Sequence, residues 1–305
     1  MPLNYHVLTA LEQGPKSLMD LRRAAGTPPQ TTMRGHLRSL TEAGIVERRR
    51  QTDFPGSVDL EIAKPGRELL VVSRVLAAWL LQAPDGPMQL GGPSSKSALK
   101  ALLDGWSSGI VRVLAAKPHA LTELSRVITG LSYPSLERRL GAMRLAQLIE
   151  PCPSTGRGTP YRATEWLRRA IAPLAAAARW ERAYLPVETA PIRRLDVEAA
   201  FLLVLPMLSL PSAYGGECRL AVEMRNGDGE LRLAGVMARV NDGKTSCVAR
   251  LQGDASAWVS GSATDWLHAV FEDDNQGLEA GGDCDLAFAL LDSLRRGLFQ
   301  PRQCA

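Results

Sequence analysis

Residues 17–62 read SLMDLRRAAGTPPQTTMRGHLRSLTEAGIVERRRQTDFPGSVDLEI. Two short helical patterns are separated by the Gly–Thr–Pro–Pro break at 26–29, and two strand-like runs follow. In the second helical pattern Met33, Leu37 and Leu40 recur at i, i+4 and i+7, so they share one buried face. At about 100° per residue, Thr31, Arg34, Gly35 and Arg38 fall on the opposite face. The result is a helix with an apolar back and a short, basic, hydrogen-bonding front. Gly44 suits a left-handed C-terminal cap. Residues 45–51 and 57–62 then read as a hairpin whose tip is 52–56.

Helix, turn, helix, hairpin is the order of a winged helix-turn-helix, whose second helix enters a DNA major groove. The order occurs again downstream. Leu121-Thr-Glu-Leu124 parallels Leu18-Met-Asp-Leu21, and Leu140 stands where Leu37 stood, an offset of 103 (140 less 37). Trp180 stands where Trp79 stood, an offset of 101 (180 less 79), so the second wing is about two residues shorter. Leu136, Leu140 and Met143 repeat the buried spacing of Met33, Leu37 and Leu40. A duplicated long-range pattern arises by chance far less readily than one motif.

The run RGHLRSLTEAGIVERRRQTDFPGSVDLEIAKPGRELLVVSRVLAAWL resembles the HxlR group of winged-helix transcription regulators, which is close to MarR. That group shows an LxxLxxxGLVER run, a wing with a Pro-rich tip, a YxLTxxGxxL segment and a helix ending in Trp. Here these become HLRSLTEAGIVER, DFPGSVDLEIAKPGREL and AAWL. The second copy, LERRLGAMRLAQLIE with TPYRATEWLRRAI and AARW, fits more loosely. The resemblance implies double-stranded DNA as partner. Most members carry one module and dimerise. Two modules in one chain imply either a monomer with an internal pseudo-dimer or a homodimer.

Charge is uneven along the 305 residues. Residues 1–93 hold 11 basic and 9 acidic side chains, residues 94–190 hold 14 and 7, and residues 191–305 hold 11 and 16. Net charges of +2, +7 and −5 suit a polyanion-binding first two thirds joined to something else. The five cysteines (Cys152, Cys218, Cys247, Cys284, Cys304) include no C-x-x-C, and the four histidines are equally dispersed, so no metal site and no cofactor are expected. The opening MPLNYHVLTALEQG lacks a basic run before an apolar core, so no secretory signal is read there. The longest apolar helical run, 69–81, contains Arg74 and is shorter than the ~20 residues a bilayer requires. A cytoplasmic protein with reduced thiols and no membrane partner is the expectation.

The Gly-, Pro- and Ser-rich stretch 84–95 reads as a linker, and 186–194 as a second one. The organisation expected is a first winged helix at 1–85, a second at 94–186 and an α+β domain at 195–305, giving a mainly α chain with an α+β end. In the last third Leu220, Val222 and Met224 alternate with Arg219, Glu223 and Arg225 as in a strand. Residues 226–229 and 241–243 are hairpin turns. DASAWVSGSATDWLHAVF and GLEAGGDCDLAFALLDSL resemble sterol-carrier-protein-like domains, with a Gly–x4–Gly–Asp run opening a final helix. The resemblance implies an apolar tunnel for a hydrophobic small-molecule effector.

Candidate DNA contacts follow from these placements. Arg34 and Arg38 can reach guanine edges, since bidentate Arg–guanine is the commonest base contact. Gln30, Thr31 and Thr32 sit at the helix N-terminus, where amide and hydroxyl groups meet phosphate or base. Arg48, Arg49 and Arg50 enter the first wing and can bind phosphate. His36 lies on the flank of the buried face and reads as a packed histidine. In the second unit Glu137 replaces Arg34 and Gly141 replaces Arg38, so its front is poorer. Ser135, Arg138, Arg139 and Arg162 remain candidates, with Arg157 at the second wing tip suited to a minor groove. Met224, Met237, Trp258, Trp266 and Phe271 are the ligand-pocket candidates, against the plainer reading of core. No G-x-S-x-G, phosphate-cradling glycine loop or H-E-x-x-H appears, and no Gln-x-Gln of the tandem winged-helix glycosylases, so no catalytic residue is named and no enzyme is expected. A protein–protein adaptor that no longer reads DNA, or an enzyme acting on DNA, are the alternatives.

Overall fold

The computed structural model describes residues 2–50, 58–153, 158–185, 193–225 and 230–299. The first unit comprises α1 (Pro2–Glu12), α2 (Leu18–Ala24), α3 (Gln30–Glu42), β1 (Val46–Arg50), β2 (Val58–Ile62) and α4 (Lys64–Leu81). The Ser17 hydroxyl starts α2 by accepting from Asp20 N at 3.2 Å and donating to the Asp20 carboxylate at 2.7 Å. That bond, with Arg23 nearby, holds the Asp20 carboxyl below its ordinary range. α3 starts after Pro28-Pro29 and ends on Gly44, whose φ is +66°. There Ile45 N donates to Leu40 O and Gly44 N to Thr41 O, which satisfies the last carbonyls. Met33, Leu37 and Leu40 are buried, each contributing about 1.5–3 kcal/mol.

The hairpin is tied to α4 at Gly66. A Cβ there would lie 2.4 Å from Ile45 O and 2.8 Å from Ile62 Cγ1. Gly66→Ala is therefore expected to destabilise the first unit by about 1–3 kcal/mol, because backbone cannot yield as a side chain can. Chemical denaturation of the full chain checks it; an unchanged midpoint would mean that α4 moves freely off the hairpin.

The second unit is preceded by α5 (Pro93–Ser107). It continues with α6 (Ile110–Ala116), β3 (His119–Ala120), α7 (Leu121–Val127), α8 (Tyr133–Leu145), β4 (Ile149–Pro151), β5 (Pro160–Ala163), α9 (Glu165–Arg169) and α10 (Ile171–Tyr184). Its strand register repeats that of the first unit. Val46 pairs with Ile62, and Ile149 with Ala163. The offsets are 103 before the hairpin tip (149 less 46) and 101 after it (163 less 62), as the sequence comparison reads them. The Lys16–Leu60 bridge has its counterpart in His119–Tyr161. The helix after the second hairpin breaks at Ala170, and Pro173 sits in the first turn of α10, where a missing N–H costs no helical bond.

Two tryptophan contacts relate the units reciprocally. Trp79 Nε1, near the end of α4, donates to Trp166 O at the start of α9, at 2.9 Å. Trp180 Nε1, near the end of α10, donates to Pro65 O at the start of α4, at 2.8 Å. Both members of the second bond are offset from the first by 101 (180 less 79, 166 less 65). Residue i meets j while j's counterpart meets i's counterpart, which is the signature of a two-fold contact. The Trp79 and Trp166 rings stack with centroids 4.4 Å apart and 5° between planes, and Trp166 Nε1 donates back to Trp79 O at 3.0 Å.

The last third holds α11 (Arg194–Val204), a 3-10 turn (Leu205–Met207), β6 (Gly216–Arg225), β7 (Leu231–Asn241), β8 (Lys244–Val248), β9 (Ala257–Ser262), α12 (Ala263–Glu272), β10 (Glu279–Gly282) and α13 (Cys284–Phe299). The sheet order is β10-β9-β6-β7-β8, with β6 and β9 parallel and the other pairs antiparallel. β10 occupies the GLEAGGD stretch and was not expected as a strand, because its glycines carry no alternation. The turn at 226–229 lies outside the described residues.

Of the two expected linkers, 84–95 is described in full, and 186–192 of the second lies outside the described residues. The stretch 84–95 folds back, Met88 N donating to Leu80 O at 3.0 Å, and α5 already starts at Pro93. α11 is fastened to the second unit: Glu198, buried, takes Arg112 of α6 at 3.0 Å, and Arg194 of α11 itself meets the same carboxylate at 2.8 Å. Arg168 donates to Leu202 O and Leu203 O at the end of α11, both at 3.1 Å. Burial holds its guanidinium below the ordinary range. Second unit and last domain thus share one apolar core, while the first unit has its own.

Candidate nucleic-acid interface

α3 presents the expected front. Thr31, Arg34 and Arg38 are exposed opposite the buried Met33–Leu37–Leu40 stripe, and Gln30 and Thr32 are exposed in the first turn. Arg48 and Arg49 are exposed on β1, and Arg49 reaches Glu61 Oε2 across the hairpin at 3.4 Å. Both Arg49 and Glu61 side chains are solvent-exposed, so this pair is worth little and can open for a phosphate. Arg50 lies in β1, but its side chain is outside the described residues. His36 Nδ1 meets Asn4 Oδ1 of α1 at 2.8 Å, a packed histidine as read from the sequence.

α8 presents a different front. Glu137 and Arg138 are exposed, and Ser135 and Gly141 are half-buried. Arg139 is half-buried and donates to Asp104 O on α5 at 3.2 Å. Its position is the counterpart of His36 (139 less 36 is 103). His36 bonds to α1 and Arg139 to α5, so Arg139, like His36, is held by a bond to another helix. Arg162 is exposed and paired with Glu150 Oε1 at 2.6 Å, which raises its guanidinium above the ordinary value. Arg157 lies outside the described residues.

The apolar sites fall apart into two groups. A cavity of about 520 Å³ opens where α5 and α10 meet α11, α12 and α13. Trp266 lines it; Met224, Met237, Trp258 and Phe271 do not. Met237 is buried core in β7, and Trp258 covers Gly281, where a Cβ would lie 2.6 Å from the indole. Phe271 lies under the Arg179 guanidinium, 5.7 Å from it. Trp106, Phe201, Asp196 and Glu181, which no motif in the sequence singles out, also line the cavity. They come from helices far apart in the chain, and no local spacing joins them. Burial pushes the thiols of Cys218, which is buried, and Cys247, which is half-buried, up to about 12.

Residues 4–85 match the HxlR-like helix-turn-helix family. The match begins in α1 and ends just past α4, so it takes in α3, the hairpin and Trp79. Nothing among curated proteins matches the chain. The HxlR-like segment carries the basic front. No helix among the described residues is long and apolar enough to cross a membrane.

Proposed function

We propose that this chain is a DNA-binding transcription regulator that acts by binding rather than catalysis. The observation that carries the reading is the exposed Gln30–Arg38 front on α3, within the segment that matches the HxlR-like family. The helix supplies two guanidiniums one turn apart, and Arg48 and Arg49 flank it on the wing. Such a set fits base edges in a major groove with phosphates on either side.

The recurrence of element order, register and reciprocal Trp bonds supports a second winged helix at 94–186. The chain then brings both halves of a pseudo-dimer to DNA as a monomer. With Glu137 and Gly141 in place of Arg34 and Arg38, the second half contributes backbone affinity more than base reading, and the site is not a palindrome. The last domain, sterol-carrier-like in its sequence motifs, supplies the response to a hydrophobic small molecule. A cytoplasmic location fits such a regulator.

The test is binding of the full chain to duplex DNA, first by sequencing fragments recovered from random duplexes and then by titration at several salt concentrations. Recovery of one asymmetric motif and a steep fall of affinity with salt are expected, since phosphate contacts release counterions. Absent or salt-insensitive binding favours the adaptor reading, in which the winged helices hold protein partners.

A further inference from the structure

The geometry points to the 520 Å³ cavity between the second unit and the last domain as a binding site for a lipophilic organic cation. The volume lies within the roughly 300–1,000 Å³ of small-molecule pockets. The walls are mostly aliphatic, with ring surface from Trp106, Phe201 and Trp266. Both indole N–H groups are already spent: Trp106 Nε1 donates to Asp196 Oδ1 and Trp266 Nε1 to Ala221 O, each at 2.8 Å. The rings therefore offer carbon surface and π-density, not donors.

Among the described residues that line the cavity, the ionisable ones are Asp196 and Glu181, both carboxylates. The neighbouring guanidiniums do not line it. Arg112 and Arg194 are turned to Glu198, Arg182 to Thr264 Oγ1, and Arg179 to Glu68 and Glu272. Ring faces attract cations, and a carboxylate at the edge of an apolar cavity repels anions. A small hydrated cation would not regain its water among aliphatic walls. Asp196 accepts from Trp106 Nε1 and, at 2.9 Å, from Arg193 N, both neutral donors, so a neutral hydrocarbon would leave the negative charge beside the cavity unbalanced. A cation clothed in hydrocarbon or aryl groups meets both demands.

The consequence for regulation rests on the DNA-binding reading. α10 lines the cavity through Leu174 and Ala178, and through Trp180 it also bonds Pro65 of α4. An occupant of the cavity thus presses on the helix that sets the two units against each other.

The test uses the full chain without DNA and two near-isosteric ions, tetraphenylphosphonium and tetraphenylborate. Calorimetric titration is expected to show saturable phosphonium binding, at least about tenfold tighter than borate. Glu181→Gln and Asp196→Asn should each weaken the phosphonium and narrow that gap, with the melting temperature of the unliganded protein reported alongside. Ala200→Trp, which fills the cavity, should remove phosphonium binding. Equal or tighter borate binding, binding of neither ion, or phosphonium binding that survives Ala200→Trp overturns the site. A failure to bind duplex DNA leaves these titrations untouched, so the two readings fail separately. Where both bind, an unchanged duplex affinity with phosphonium present overturns the regulatory consequence alone.

Discussion

Trp79→Ala is expected to cost about 3–5 kcal/mol of stability, the range for removing a fully packed aromatic side chain. Trp79 and Trp166 are both 3% exposed, with stacked rings and mutual indole-to-carbonyl bonds. The stack adds about 0.5–1.5 kcal/mol beyond area burial. Trp79→Phe keeps a ring but leaves Trp166 O without its donor, so about 1–3 kcal/mol should be lost. Trp166→Ala removes the same stack from the other side. The double alanine variant should therefore cost less than the sum of the singles, by roughly 0.5–3 kcal/mol. Denaturant titration of the four proteins measures this directly. Additivity within about 0.5 kcal/mol would show that the rings act independently. Loss of the lock should also weaken duplex binding, because two tethered readers gain only when their geometry permits both to engage.

Arg34→Ala carries the second large effect. It should reduce affinity for the preferred duplex by about 1–3 kcal/mol and change affinity for random duplex little, as expected of a base contact. Arg38→Ala, one turn along the same exposed front, should behave alike. Arg138→Ala on α8 should weaken both duplexes about equally and lower the salt slope by roughly one, as a phosphate contact does. Arg139→Ala should leave the salt slope unchanged, since its guanidinium is held by Asp104 O. Titrations on both duplexes over a series of salt concentrations separate these outcomes. If Arg34→Ala weakens random and preferred duplex alike while Arg138→Ala erases the preference, α8 is the reader and the assignment of the two units reverses.

Much of the N-terminal architecture was legible in residue order because its causes are local. The Met33–Leu37–Leu40 spacing fixes the buried side of α3, and so its front, through the helical repeat alone. Ser17 with Asp20, and Gly44 after the last turn, set the ends of α2 and α3 through bonds spanning a few residues. The offsets of 103 and 101 were readable because Leu136, Leu140 and Met143 repeat the spacing of Met33, Leu37 and Leu40, and Trp180 that of Trp79. They reappear in the registers Val46–Ile62 and Ile149–Ala163.

Tertiary structure alone decided what each exposed or apolar side chain meets. The same periodicity that places Arg139 on α8 says nothing of Asp104 on α5, a separate helix that arrives from earlier in the chain. Nothing in the residue order shows that Arg168 holds the carbonyls at the end of α11. Trp79 and Trp180 are equivalent in sequence, but one stacks on Trp166 in the shared core and the other rests against the first unit. The cavity is the clearest case. Its aromatic and acidic lining comes from four helices, α5, α10, α11 and α12, and a void is a property of how helices meet, which no periodicity within any one of them encodes.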